Sequence, residues 1–232
     1  MKPYLMFIDT EASGLPKKWN VPYSQHNNWP HIVQLSWIVY TQDGRLVKQE
    51  DHYISNHDFK STESAIRIHG ISEEFRKTEG EDRAVVMAKL AADLLQYTPM
   101  IVGHFTELDL HLIGADFYRT GIENPALQLP SFCTMLATKQ YVRNPQANYL
   151  RLGELFSTLF DRKLENQHNA LFDAQATADC FFELLRKGEV TDEKIEQQQQ
   201  EMNKIKAESR YLGYGIPVLL VFLLTVLIVC LL

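Results

Sequence analysis

Three short segments of the 232-residue chain carry acidic side chains at spacings that chemistry can use. Asp9-Thr10-Glu11 closes an apolar run. Side chains alternate across a strand, so in extended backbone Asp9 and Glu11 point to one face. Two carboxylates side by side repel each other unless a cation lies between them, and a hard divalent ion with oxygen ligands is the natural partner. A solvated strand end would carry the same pattern. The second segment, His104-Phe105-Thr106-Glu107-Leu108-Asp109, follows the apolar Met100–Gly103 and leads into helical spacing. Asp109 falls in the first turns of that helix, where an acidic residue also complements the helix dipole. The third, His168-Asn169-Ala170-Leu171-Phe172-Asp173, places a histidine just before a helix and an aspartate within its first turns. Such a histidine is a cap or a surface residue, or a base able to work near neutral pH.

These residues need elements to hold them. Lys2 to Ile8 reads as a buried strand, His31 to Tyr40 and Arg45 to Ile54 as a hairpin about Gln42-Asp43-Gly44, and Met100 to Gly103 as a short buried strand. Helical spacing covers Ser61 to Ile68, Asp82 to Tyr97, Glu107 to Thr120 with Gly121 as its stop, Leu150 to Phe160, and Ala170 to Lys187. Strands first and a strand–helix alternation after them predict a mixed α/β sheet with helices on its faces.

Taken in order, the three segments resemble the exonuclease motifs of the DnaQ-like (DEDDh) superfamily of 3′→5′ exonucleases. Asp9-Thr10-Glu11-Ala12-Ser13-Gly14-Leu15 is similar to the first motif, His104 through Asp109 to the second, and His168 through Asp173 to the third in its histidine form. Ile68-His69-Gly70-Ile71-Ser72 resembles a short I-H-G-I-T element found between the first two. The resemblance spans residues 1–187 and implies an RNase H-like fold. It implies two divalent ions, Mg²⁺ with Mn²⁺ able to substitute, held by Asp9, Glu11, Asp109 and Asp173, with His168 as general base. It also implies that Thr10, Ala12, Leu15 and His69 line the pocket for the 3′-terminal nucleotide, and that the product is a 5′-mononucleotide. Many relatives are dimers, so a homodimer belongs to the expectation.

Two departures stand out. Phe105 occupies a position where the family often has Asn. The loop from Pro16 to Pro30 is longer than in compact members and carries Lys17, Lys18, Trp19 and Trp29. Basic and aromatic residues together either grip a single strand of nucleic acid or simply pack on one another. No residue pattern reads a 2′-hydroxyl, so DNA and RNA both remain open; tail-anchored DNA-degrading relatives favour DNA. The competing readings are an exoribonuclease that trims RNA 3′ ends, a module that holds nucleic-acid ends without cutting them, and a membrane-tethered interaction protein.

The formal charge of −6 excludes the broad basic footprint of many nucleic-acid binders, so contact must be local and bound cations must offset the acids. Cys133, Cys180 and Cys230 are far apart, which excludes a disulfide framework or a zinc site built on paired cysteines. Beyond residue 187, a charged, Gln-rich stretch over 188–210 reads as a solvated helical linker. Residues 211–232 are almost wholly apolar, long enough for a transmembrane helix, and follow Lys204, Lys206 and Arg210. The expectation is a single-pass tail anchor with the catalytic domain facing the cytoplasm.

Overall fold

The computed structural model describes residues 1–25 and 27–213, the side chains of 204–213 excepted. Five strands form one sheet: β1 (Tyr4–Ala12), β2 (Ile32–Thr41), β3 (Leu46–Tyr53), β4 (Met100–Gly103) and β5 (Ser131–Cys133), in the order β3-β2-β1-β4-β5. β1 is antiparallel to β2, β2 is antiparallel to β3, and β1, β4 and β5 run parallel.

β1 lies at the centre, covered on both faces, which is why its first half reads as a continuous apolar run. Met6 and Ile8 face one core, with Trp37 and Val39 of β2 and the helices α3 (Arg83–Tyr97) and α4 (Thr106–Thr120). Leu5 and Phe7 face the other, with Val102, Phe132 and helix α7 (Ala170–Arg186), which contributes Ala178, Phe181 and Leu184. β1 extends past the apolar run that predicts its end at Ile8: Asp9 pairs with Ser36 and Glu11 with Gln34, and the register shifts only between Glu11 and Ala12. Backbone pairing continues although the side chains have turned polar, so both acids sit inside a paired strand.

Near the predicted helix over 61–68 the chain forms α1 (Glu63–His69), which Thr62 caps at the Ala65 N–H. A second helix, α2 (Glu73–Glu79), follows at once with Ser72 as its cap. It, β5 and the single turn α5 (Thr134–Ala137) were not expected, because each is too short to show a period. α6 covers Leu152–Phe160.

The last described helix, α8 (Asp192–Gly213), takes up most of the stretch expected as a linker, and its first half is docked. Val190 and Ile195 are buried in the core beside α7. The Gln198 amide accepts from the Cys133 N–H (2.8 Å) and donates to the Cys133 carbonyl (3.1 Å), while Gln199 accepts from the Ser131 N–H (2.9 Å). Two glutamines thus satisfy the exposed side of the edge strand β5, whose backbone groups would otherwise stay unpaired.

The expected transmembrane helix over 211–232 stands corrected, and with it the single-pass membrane placement that rested on it. No helix among the described residues is long and apolar enough to cross a membrane. Of the expected span, Tyr211, Leu212 and Gly213 form the last turn of α8, a helix dominated by Glu, Gln and Lys. Residues 214–232 lie outside the described residues.

A chain ended at residue 187 should be less stable than one ended at 203, by about 3 kcal/mol. That allows for two buried aliphatic side chains and the strand-edge hydrogen bonds, set against the cost of ordering the helix. Urea midpoints measure the difference; equal midpoints would place α8 outside the cooperative unit.

Candidate active site

Alternation along β1 decides where its polar end points. Asp9 and Glu11 continue the Leu5/Phe7 face toward α7, and Thr10 turns to the opposite side, toward α4. There the Thr10 hydroxyl donates to Asp109 Oδ1 at 2.7 Å. Asp173, in the first turns of α7, meets the face that carries Glu11. One ligand atom each from Glu11, Asp173 and His168 lies within 4.8 Å of the others. Asp9 feels the charges of Asp109, Asp173 and Glu11 together. The structure therefore gathers all five residues of the predicted metal and catalytic set.

Local geometry explains how α7 delivers its pair. Gln34, opposite Glu11 in the ladder, accepts the Ala170 N–H at 3.2 Å and seats the helix start on the sheet. Asn169 caps the helix through the Leu171 and Phe172 N–H groups. The backbone turns at His168, whose φ is +65°, and the His168 N–H donates to Asp173 Oδ2 at 2.9 Å. That hydrogen bond leaves the imidazole exposed at the mouth of the site. Asp173 Oδ1 is buried and has no hydrogen-bond partner among the described residues.

The start of α4 is equally constrained. A Cβ on Gly103 would lie 2.9 Å from Thr106 Oγ1, so the turn from β4 to α4 closes around a glycine. Thr106 donates to the Phe132 carbonyl at 2.9 Å. His104 is tied to Thr134 Oγ1 (2.9 Å) and the Leu150 carbonyl (3.0 Å), and burial pushes its pKa down to about 4. It is a structural tie between β4, α5 and the residues ahead of α6, although it opens the second motif.

Electrostatically the site is under stress. Burial, reinforced by Asp109, Asp173 and Glu11, holds Asp9 well above the ordinary carboxyl range. Burial and the charges of Asp173 and Asp109 raise Glu11 to about 8. Burial raises Asp109 to about 7 against the pull of the Thr10 hydrogen bond, and it raises Asp173 against the pull of the His168 backbone. Four crowded carboxyls, one with an orphaned oxygen, fit a hard divalent cation: all-oxygen ligands and a positive charge are what the cluster lacks.

The predicted substrate residues divide. Leu15 is 78% exposed beside this cluster's strand. The His69 Nδ1 accepts the Ile71 N–H at 3.0 Å, so its Nε2 carries the proton in the neutral ring. That Nε2 is buried and turned toward the Ala12 backbone, without close hydrogen-bond geometry. Ala12 is half-buried at the end of β1, and the Thr10 hydroxyl is committed to Asp109. Not anticipated was the ionic anchor under the long loop. Asp116, fully buried, pairs with Arg119 (2.6 Å) and Arg83 (3.5 Å); Arg119 donates to the Trp29 and Pro30 carbonyls. Asp116 and Arg119, three apart on α4, were the only hint in the sequence.

The RNase T exonuclease family matches residues 6–181. Among solved structures the fold is similar to E. coli exonuclease I in complex with a dT13 oligonucleotide (18% identity, 80% of this chain and 41% of that one, TM-score 0.63). It is also similar to the zinc-bound E. coli exonuclease I complex with single-stranded DNA (16%, 81% and 41%, TM-score 0.63) and to exonuclease I in its apo form (18%, 79% and 42%, TM-score 0.61). The chain spans about two fifths of those proteins, and at such identity the likeness establishes the mixed α/β, RNase H-like fold alone. A comparison with curated proteins found no match. Neither membrane association nor a homodimer gains support from the fold or from these likenesses. With three quarters of its length matched and the motifs gathered in one place, the chain belongs to the RNase T exonuclease family of the DnaQ-like superfamily.

Proposed function

We propose that this chain is a divalent-metal-dependent 3′→5′ exonuclease that releases 5′-mononucleotides from nucleic-acid 3′ ends, single-stranded DNA foremost. The observation that carries this reading is the cluster of Glu11, Asp173 and His168 within 4.8 Å, beside Asp9 and Asp109. The 3′→5′ polarity follows the superfamily's motif order, and DNA is favoured by the oligonucleotides bound in the exonuclease I structures.

Asp9, Glu11, Asp109 and Asp173 would hold Mg²⁺, or Mn²⁺ in its place, as a two-ion centre. Bound there, the ions supply charge relief at the phosphate and the leaving oxygen and ease the ionisation of water. The protein's own residues do the rest. His168, exposed and pinned through its backbone to Asp173, takes the proton from the attacking water on an imidazole nitrogen. Thr10 orients Asp109. His69 lines the pocket for the terminal nucleotide beside Ala12, and Leu15 lays an exposed apolar surface against its base.

With a 3′-labelled DNA oligonucleotide and Mg²⁺, Asp173→Asn should lose roughly a thousandfold or more in rate, as should wild type with chelator. Wild-type rates in that variant would refute the metal assignment. His168→Ala should lose about 10²–10⁴-fold while still binding Mn²⁺; weak Mn²⁺ binding would make His168 a ligand instead. Release of the 3′ label as mononucleotide ahead of a 5′ label checks polarity, and matched RNA, duplex and single-stranded DNA substrates check the substrate class.

Raised carboxyl pKa values also fix a sign. The metal-free fold retains protons that the unfolded chain releases near pH 4, so it loses stability as pH rises from about 4 toward about 8. In chelator at pH 8, Asp173→Asn should therefore melt above wild type, by about 5 °C. Mg²⁺ should stabilise wild type far more than the variant. A metal-free wild type whose melting temperature climbs over that pH range would overturn the electrostatic account.

A further inference from the structure

We infer that Trp19 and Phe105 together form a stacking face for a nucleobase of the single strand, next to the nucleotide being removed. The inference rests on the exonuclease reading and adds a recognition surface to it. It begins with how the long loop divides its aromatics. Trp29 is 3% exposed and stacks on His111, with ring centroids 4.6 Å apart and planes at 17°. The Tyr23 hydroxyl meets His111 Nδ1 at 3.1 Å and occupies space that any side chain at Gly114 would fill. Trp29, Tyr23 and His111 are therefore packing, and they build a pedestal on α4.

Trp19 sits on that pedestal with Phe105 beside it, and both remain only partly buried. Their ring centroids are 5.7 Å apart at 44°, and Trp19 meets Trp29 and His111 edge-on. Phe105 also holds its position at a cost: it is the N-cap of α4 in the left-handed region (φ +75°), and it makes no capping hydrogen bond. An asparagine would adopt that conformation with less strain and could cap the helix, so neither local backbone nor helix stability accounts for a phenyl ring here. Asp109 follows Phe105 by four residues, about one helical turn or 6 Å along the axis. That puts Phe105 about one helical turn from Asp109, with Trp19 beside it.

The loop is held before any ligand arrives. Asn28 locks Lys18 through both its backbone N–H and its carbonyl (2.9 Å each), and Arg119 holds the carbonyls of Trp29 and Pro30. Lys17 and Lys18 stay exposed on the same loop, available to phosphates. A preorganised aromatic pair flanked by lysines, in a chain of net charge −6, is the local contact by which a single strand can be gripped. A duplex keeps its base faces stacked and would not offer them.

Intrinsic fluorescence tests this with the full chain in chelator, where no cleavage occurs. Trp37 is fully buried and Trp29 nearly so, leaving Trp19 as the tryptophan a base can reach. Titration with oligo-dT should quench wild type and leave Trp19→Phe unquenched. Affinity, followed by anisotropy of a labelled oligonucleotide, should fall about tenfold in Trp19→Ala and largely recover in Trp19→Phe. Replacing the penultimate nucleotide with an abasic one should weaken binding to wild type and not to Trp19→Ala. Undiminished quenching in Trp19→Phe, or equal abasic penalties in wild type and Trp19→Ala, would overturn the stacking face. Failure of the parent reading looks different: a wild type that binds and quenches but releases no mononucleotide with Mg²⁺.

Discussion

The crowding of four carboxyls into one largely water-excluded place, three of them buried and Asp9 half-buried, is the constraint around which this molecule is organised. Asp9, Glu11, Asp109 and Asp173 come from one strand and two helices, and each is pushed toward its protonated form by burial before any neighbour is considered. Holding them together costs free energy that packing elsewhere must offset. β1 supplies the rigidity: it is hydrogen-bonded to β2 through Ala12 and to β4 at its apolar end, with a core on each face. Few positions in a fold could keep like charges at such range without yielding.

The supports are polar as often as apolar. Gln34 ties the α7 start to β2, the His168 N–H restrains Asp173, and Thr10 restrains Asp109. His104 is spent on Thr134 and Leu150, which locks the turn into α4 and removes a tempting imidazole from the chemistry. Each of these bonds limits the relaxation by which the carboxyls would otherwise separate. A cation bound as proposed would find Glu11, Asp173 and His168 already gathered.

Around this centre the long loop gives the molecule its individuality. Its ionic anchor is itself a buried-charge problem, solved by placing Asp116 between Arg83 and Arg119. A buried pair of this kind adds little net stability, yet removal of one partner strands a charge, so the anchor specifies one loop position more than it strengthens the fold. A second clamp acts at the far end of the molecule, where Gln198 and Gln199 complete the edge of β5. Both devices use side chains remote in sequence to finish backbone that the neighbouring elements leave open.

Much was legible in the residues themselves. Apolar periodicity placed β1 to β4 and the long helices, since 2.0 and 3.6 repeats follow from backbone geometry alone. Asp9, Glu11, Asp109, His168 and Asp173 could be named because their spacing matched a family pattern. Short elements such as α2 and β5 carried no period and were invisible. The charged stretch after residue 187 could not reveal that it docks, because its contacts are two amides meeting a strand 65 and 68 residues away and two aliphatic side chains joining the core beside α7. An apolar run likewise suggested a membrane span that no described helix bears out. The division of the loop's aromatics into pedestal and outer face depended on where α4 lies. Sequence determined which groups could do chemistry; tertiary packing decided which of them meet, because distance between remote residues is set by the sheet and its two cores and by no local preference.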